Sequence, residues 1–179
     1  MKSLQQYHIP FTGLKSGKHH FSFEVNDDFF GEFEYSLVKN AKLIVELELD
    51  KQDTMLMLNF QITGSIFVNC DTCLAGFPLE IEVKERQIAK FSNDVTLEDD
   101  SEEIMVLNKN EHAFDISGLI YEYINLAVPY INRCDNEGNA EWCDQEMIEK
   151  LKSFSVKVED KENDIADPRW EALKKIKNN

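Results

Sequence analysis

Through most of the first half of the chain, apolar residues recur at every second position, and a period of two predicts strands with one buried face. Phe21, Phe23 and Val25 alternate with His20, Ser22 and Glu24 across residues 18–26. From 41 to 50 the alternation is cleaner, with Leu43, Val45, Leu47 and Leu49 opposed to Glu46, Glu48 and Asp50. Residues 55–70 predict two further strands broken near Gly64, carrying Leu56, Leu58, Phe60 and Ile62, then Ile66 and Val68. Leu79, Ile81 and Val83 alternate with Glu80, Glu82 and Lys84 in another. Short connections between such pieces imply an antiparallel sheet with one face in water. Within this run, residues 27–40 break the pattern; Phe29, Phe30, Phe33 and Leu37 are spaced for a short amphipathic helix.

The period changes at Asp115. Ile116, Leu119, Ile120, Tyr123, Ile124 and Ala127 fall at helical intervals, Asp115 is suited to cap the start, and Pro129 stops the run. A helix over 115–128 packed on the sheet makes the fold class α+β, mainly antiparallel β-sheet. Hydrophobic residues then thin out from 156 to 164, as in a charged linker. Asp167 and Pro168 open a second, short C-terminal helix that reaches Lys177. The expected organisation is one domain over 1–155, followed by a linker and short basic helix over 156–179.

The four cysteines fall into two pairs, Cys70 with Cys73 and Cys134 with Cys143. The first is a C-x-x-C turn with strand patterns on both sides, so it forms a hairpin tip. A tip has little core of its own, and two thiolates there, joined by a second pair, suit a structural zinc ion. Eight residues separate Cys134 from Cys143, a wider spacing than the usual second knuckle. Other readings stay open: buried free thiols, a redox pair, or disulfides. A redox C-x-x-C opens a helix, whereas Cys73 is followed by Leu74, Ala75, Gly76, Phe77 and Pro78. Disulfides need an oxidising compartment, and the first residues lack the apolar run of about 7–15 residues of a signal peptide. The expected location is therefore the cytoplasm.

Charge narrows the partners. The 179 residues hold 19 Lys and Arg against 34 Asp and Glu, a formal net charge of −15. A surface this acidic repels phosphate over most of its area, which argues against a general nucleic-acid coat and points to basic proteins. Residues 167–177 are the exception, a basic patch in which Arg169, Lys174, Lys175 and Lys177 accompany Trp170 and Leu173. Meeting a partner and packing back on the domain are both open to it. No segment approaches the roughly 20 apolar residues of a membrane span. Asp99, Asp100, Glu102 and Glu103 lie in an acidic stretch able to bind magnesium, but no histidine or lysine base accompanies them. His8, His19, His20 and His112 form no constellation, and no phosphate-binding glycine motif occurs. No enzyme activity is expected.

Three pieces in this order resemble the YceD family, the large ribosomal RNA subunit accumulation proteins: C-x-x-C-L at 70–74, D-I-S-G-L-I-Y-E-Y-I-N-L-A-V-P at 115–129 with a cysteine segment behind it, and D-P-R-W at 167–170 followed by Leu173, Lys174 and Lys175. The resemblance spans roughly residues 15–177. It implies a bacterial cytoplasmic protein needed for accumulation or maturation of large-subunit rRNA, and it carries over no catalytic residue. The leading expectation is a non-enzymatic factor that binds a ribosomal protein or an assembly intermediate, with RNA contact open. The alternatives are a metal-dependent RNA-processing enzyme using the acidic stretch and a zinc-stabilised interaction module unrelated to ribosomes.

Overall fold

The computed structural model describes residues 3–92, 104–108, 111–134 and 139–155. The chain divides into two compact units, Met1–Asp144 and Gln145–Asn179. In the first, a 3-10 turn, Ser3–Tyr7, leads into β1 (His8–Ile9), β2 (Gly17–Val25) and a single helical turn, α1 (Asp27–Gly31). Three long strands follow, β3 (Ala41–Lys51), β4 (Met55–Asn69) and β5 (Gly76–Ser92). Then come β6 (Ile104–Asn108), β7 (Phe114–Asp115), α2 (Ser117–Leu126) and a 3-10 turn at Asn139–Trp142. The second unit contains α3 (Gln145–Phe154), an amphipathic helix the periodicity did not single out, with Glu146 and Lys150 paired at 2.6 Å one turn apart.

The five-stranded sheet runs β2-β3-β4-β5-β6, and only the β5–β6 pair is parallel, so the fold is α+β and mainly antiparallel as expected. Register follows the apolar alternation. Leu49 faces Leu58, Leu47 faces Phe60 and Val45 faces Ile62, all six buried. Burial of each such side chain contributes roughly 1.5–3 kcal/mol. Glu46, Glu48, Asn59, Gln61, Lys84 and Arg86 line the open side of the sheet.

Helix α2 covers the inner face. Ile116 just before it, and Ile120 and Ile124 within it, are fully buried at successive i+4 positions. The Tyr123 ring lies 5.4 Å from that of Phe60, and its hydroxyl donates to Gln87 Oε1 at 3.2 Å. Burial, with Glu85 and Glu122 nearby, pushes that hydroxyl up to about 12. The chain's start seals the end of the core: Tyr7, Ile9 and Phe11 are buried, β1 pairs with β7, and Tyr7 Oη donates to the Glu24 carbonyl at 2.8 Å.

Several expectations are revised. The helix over 27–40 stops at Gly31. The Asp27 carboxylate accepts the Asn40 side chain and the Ala41 N–H, both at 2.9 Å, so the intervening residues fold back as a loop and Leu37 is 75 % exposed. The break near Gly64 is absent. β4 is continuous because Gly64, at φ +135°, sits opposite Leu43, where a Cβ would collide with the Lys42 carbonyl oxygen. Helix α2 is shorter than 115–128 because Asp115 belongs to β7; its carboxylate nevertheless accepts the Ser117 N–H at 2.9 Å and satisfies one free donor of the first turn. Leu119 and Tyr123 are half-buried rather than enclosed. The predicted helix at 167–177 and the acidic residues Asp99, Asp100, Glu102 and Glu103 lie outside the described residues.

Candidate metal centre

The turn between β4 and β5 is shaped by its backbone before any ligand is considered. Cys70 N donates to the Ala75 carbonyl and Leu74 N to the Cys70 carbonyl, both at 2.9 Å. Closing the loop that tightly puts Leu74 in the left-handed region at φ 63°, a conformation that costs an L side chain about 1–2 kcal/mol. Thr72 N points at Cys70 Sγ from 3.4 Å. Burial tends to raise the Cys70 thiol, yet N–H groups of Cys73, Cys134 and Thr72 and the Cys134 thiol outweigh it and bring it down to about 6. Donors aimed at a sulfur favour its thiolate form.

Two bonds bring the second cysteine segment to this turn. Asp71 N donates to the Asn132 carbonyl at 2.8 Å, and Asn132 N donates back to Asp71 Oδ2 at 2.7 Å. This reciprocal clamp fixes the chain just past α2. Cys134 Sγ then lies 3.4 Å from Cys73 Sγ, and the sulfurs of Cys70, Cys73 and Cys134 all fall within 4.8 Å of one another, buried. Cys143 is half-buried beside them, and its thiol interacts with those of Cys134 and Cys73. Its approach follows from Trp142, whose indole packs edge-on against Phe67 at 5.9 Å between ring centroids. Phe67 in turn lies over Gly76, where a Cβ would come within 2.8 Å of the ring.

The donor set is that of a soft or borderline cation. Tetrahedral zinc with Zn–S of about 2.3 Å holds its sulfurs about 3.8 Å apart, close to the 3.4 Å between Cys73 and Cys134. Bonded disulfide sulfurs lie at about 2.05 Å, and all four cysteines are free thiols. Burial first, then the neighbouring cysteine side chains, raise the Cys134 thiol; burial is also the main cause that raises Cys143. Crowded thiols resist losing a second proton, and a divalent cation among them reverses that preference. The residues therefore fit a metal, and three of the four expected ligands form a cluster able to bind one.

The periodicity located the cysteines but not what assembles them. Asp71 stood in view inside the C-x-x-C turn, while Asn132 and Trp142 carried no signal of their own. Arg169, Trp170, Lys174, Lys175 and Lys177 lie outside the described residues.

A mainly antiparallel α+β domain with a cysteine cluster joining a hairpin tip to the segment behind its helix defines the structural class. The chain belongs to the YceD family: the family model described as "Large ribosomal RNA subunit accumulation protein YceD" matches residues 58–177, a span containing all four cysteines. The chain is also similar to the "Uncharacterized protein YlbN" of Bacillus subtilis (strain 168), 27 % identical over 128 residues, which cover 71 % of this chain and 69 % of that protein. No solved structure matches the chain. No helix among the described residues is long and apolar enough to cross a membrane.

Proposed function

We propose that this chain is a non-enzymatic cytoplasmic factor that supports accumulation of large-subunit ribosomal RNA by binding a ribosomal protein or an assembly intermediate. The family match over residues 58–177 carries this reading. The net charge of −15 supports it, because it favours lysine- and arginine-rich partners and disfavours broad contact with RNA. In this reading Cys70, Cys73, Cys134 and Cys143 hold one structural zinc that fastens the hairpin tip to the segment after α2. Arg169, Trp170, Lys174, Lys175 and Lys177 form a recognition helix at the C-terminal end.

Sedimentation of cell extract at low salt tests the main statement. The chain is expected to travel with large-subunit precursors, and a deletion strain to lose large-subunit rRNA; chain found only in the free fraction with normal rRNA removes the proposal. Metal analysis of protein purified without chelator is expected to give about one zinc per chain, lost in Cys134→Ser. A stoichiometry near zero in the parent overturns the zinc assignment. Deleting residues 165–179 is expected to leave the melting temperature unchanged and to abolish particle association; a lowered melting temperature with association intact defeats the role of the tail.

A further inference from the structure

The four thiols at the hairpin tip are not equivalent. Cys70, Cys73 and Cys134 are buried, each 2 % exposed or less, whereas Cys143 is half-buried and open to solvent. Cys73 Sγ and Cys134 Sγ lie 3.4 Å apart although 61 positions separate them in the chain. The Cys70 sulfur is occupied by backbone, since the N–H groups of Thr72, Cys73 and Cys134 converge on it. The Cys143 thiol interacts with those of Cys134 and Cys73, which links the solvent side of the cluster to its buried pair.

Disulfide sulfurs lie at about 2.05 Å, so Cys73 and Cys134 need to approach by about 1.4 Å to be joined. The chain around them can supply that movement. Cys73 sits in the turn between β4 and β5, and Cys134 lies beyond the Asp71–Asn132 clamp, outside any helix or strand. The pair of interest is thus not the C-x-x-C pair but one sulfur from each cysteine segment.

We propose that Cys73 and Cys134 form a reversible disulfide when the chain meets hydrogen peroxide, with Cys143 as the point where the oxidant enters. The Cys143 sulfur attacks one peroxide oxygen, the O–O bond breaks, and a sulfenic acid and one water result. The Cys134 sulfur displaces the sulfenic hydroxyl, which leaves with the Cys134 proton as a second water, and a Cys134–Cys143 bond forms. Cys73, already against Cys134, then attacks the Cys134 sulfur, and Cys143 leaves and takes up the Cys73 proton. In sum, two thiols give up two hydrogens and peroxide becomes two waters. A dithiol reductant reverses the bond, as happens to transient disulfides in a reducing compartment. The proposal deepens the metal-centre reading above: the same sulfurs acquire a second use, and a chain carrying this bond has only Cys70 and Cys143 left to hold an ion.

The test uses the full chain, stripped of metal with a chelator, treated with a small excess of hydrogen peroxide and capped with N-ethylmaleimide. Digestion without reductant by a protease that cuts before aspartate, at Asp71 and Asp135 among others, leaves each cysteine on its own fragment. Loss of two of the four thiols and a crosslink between the Cys73 and Cys134 fragments are expected. Cys143→Ser should give the same crosslink several-fold more slowly while melting like the parent, and dithiothreitol should restore all four thiols. A bond between Cys70 and Cys73, a lasting bond between Cys134 and Cys143, sulfinic acid at Cys143 as the main product, four unchanged thiols, or an unchanged rate in Cys143→Ser overturns the proposal. Zinc uptake by the untreated chain separates the two levels. A chain that takes up no zinc yet forms the crosslink removes the zinc assignment and upholds the disulfide; one that holds zinc but forms no crosslink once stripped does the reverse.

Discussion

Leu56, Leu58, Phe60 and Ile62 are sealed on the inner face of β4 by β3 and α2, and each adds burial that its neighbours also share. Farther along the chain, Phe67 to Cys73, at the end of β4 and in the turn after it, depend on a few discrete contacts: the Asp71–Asn132 clamp, the thiol cluster and the Trp142 edge on Phe67. The first region is held by area and is redundant, so it transmits any packing error to the whole sheet. The second is held by points, and the Asp71–Asn132 clamp among them can be removed without touching the inner face of the sheet. A fold divided this way can be tuned at its tip while its body stays intact.

The strongest attack on that contrast falls in the body. Ile120→Asp places a carboxylate at a fully buried position of α2 and should cost more than about 4 kcal/mol. Loss of a cooperative melt by circular dichroism is expected; a variant melting like the parent would mean the buried face is misassigned. Gly64→Ala comes next, since its Cβ meets the Lys42 carbonyl oxygen and Leu43 Cα at 3.1 Å in a backbone at φ +135°. About 2–4 kcal/mol should be lost, seen as a fall in the denaturant midpoint.

Gly64 also marks where the sequence misled. A glycine inside a strand pattern reads equally as an end or as a close approach, and only the partner strand decides; here Lys42 and Leu43 decide for approach. Likewise Phe29, Phe30, Phe33 and Leu37 are spaced for a helix, but the Asp27 side chain captures Asn40 and Ala41 and the loop wins. The long strands and α2 were legible because burial on one face writes a period into the sequence. Contacts such as Asp71 with Asn132 write none, so the hairpin tip was visible in its cysteines and invisible in what gathers them.

Smaller effects probe the tip. Asp71→Ala removes the acceptor of the Asn132 N–H and should cost about 1 kcal/mol. Faster hydrogen exchange is expected at residues 132–134 and 70–74, with 43–62 unchanged; acceleration across the sheet would break the division between the two regions. Leu74→Gly should have the smallest effect. It relieves the left-handed strain at φ 63° but loosens the unfolded chain, so the net gain is within about 1 kcal/mol. A clear loss by chemical denaturation would show that the exposed Leu74 side chain has a contact of its own.

The pairing of His8 with Asp115 and Ile9 with Phe114 has a consequence for how the molecule comes into being. Tyr7 meets Phe23 and Phe29 within about twenty residues of chain, but Ile9 is translated more than a hundred residues before Phe114, its partner across the strand pair. At about 5–20 residues per second, Ile9 waits roughly 5–20 s for that partner to be made. The β1–β7 pair therefore closes only after the strands β2 to β5 between its two halves have been made, so it joins a sheet that is already complete along its long strands.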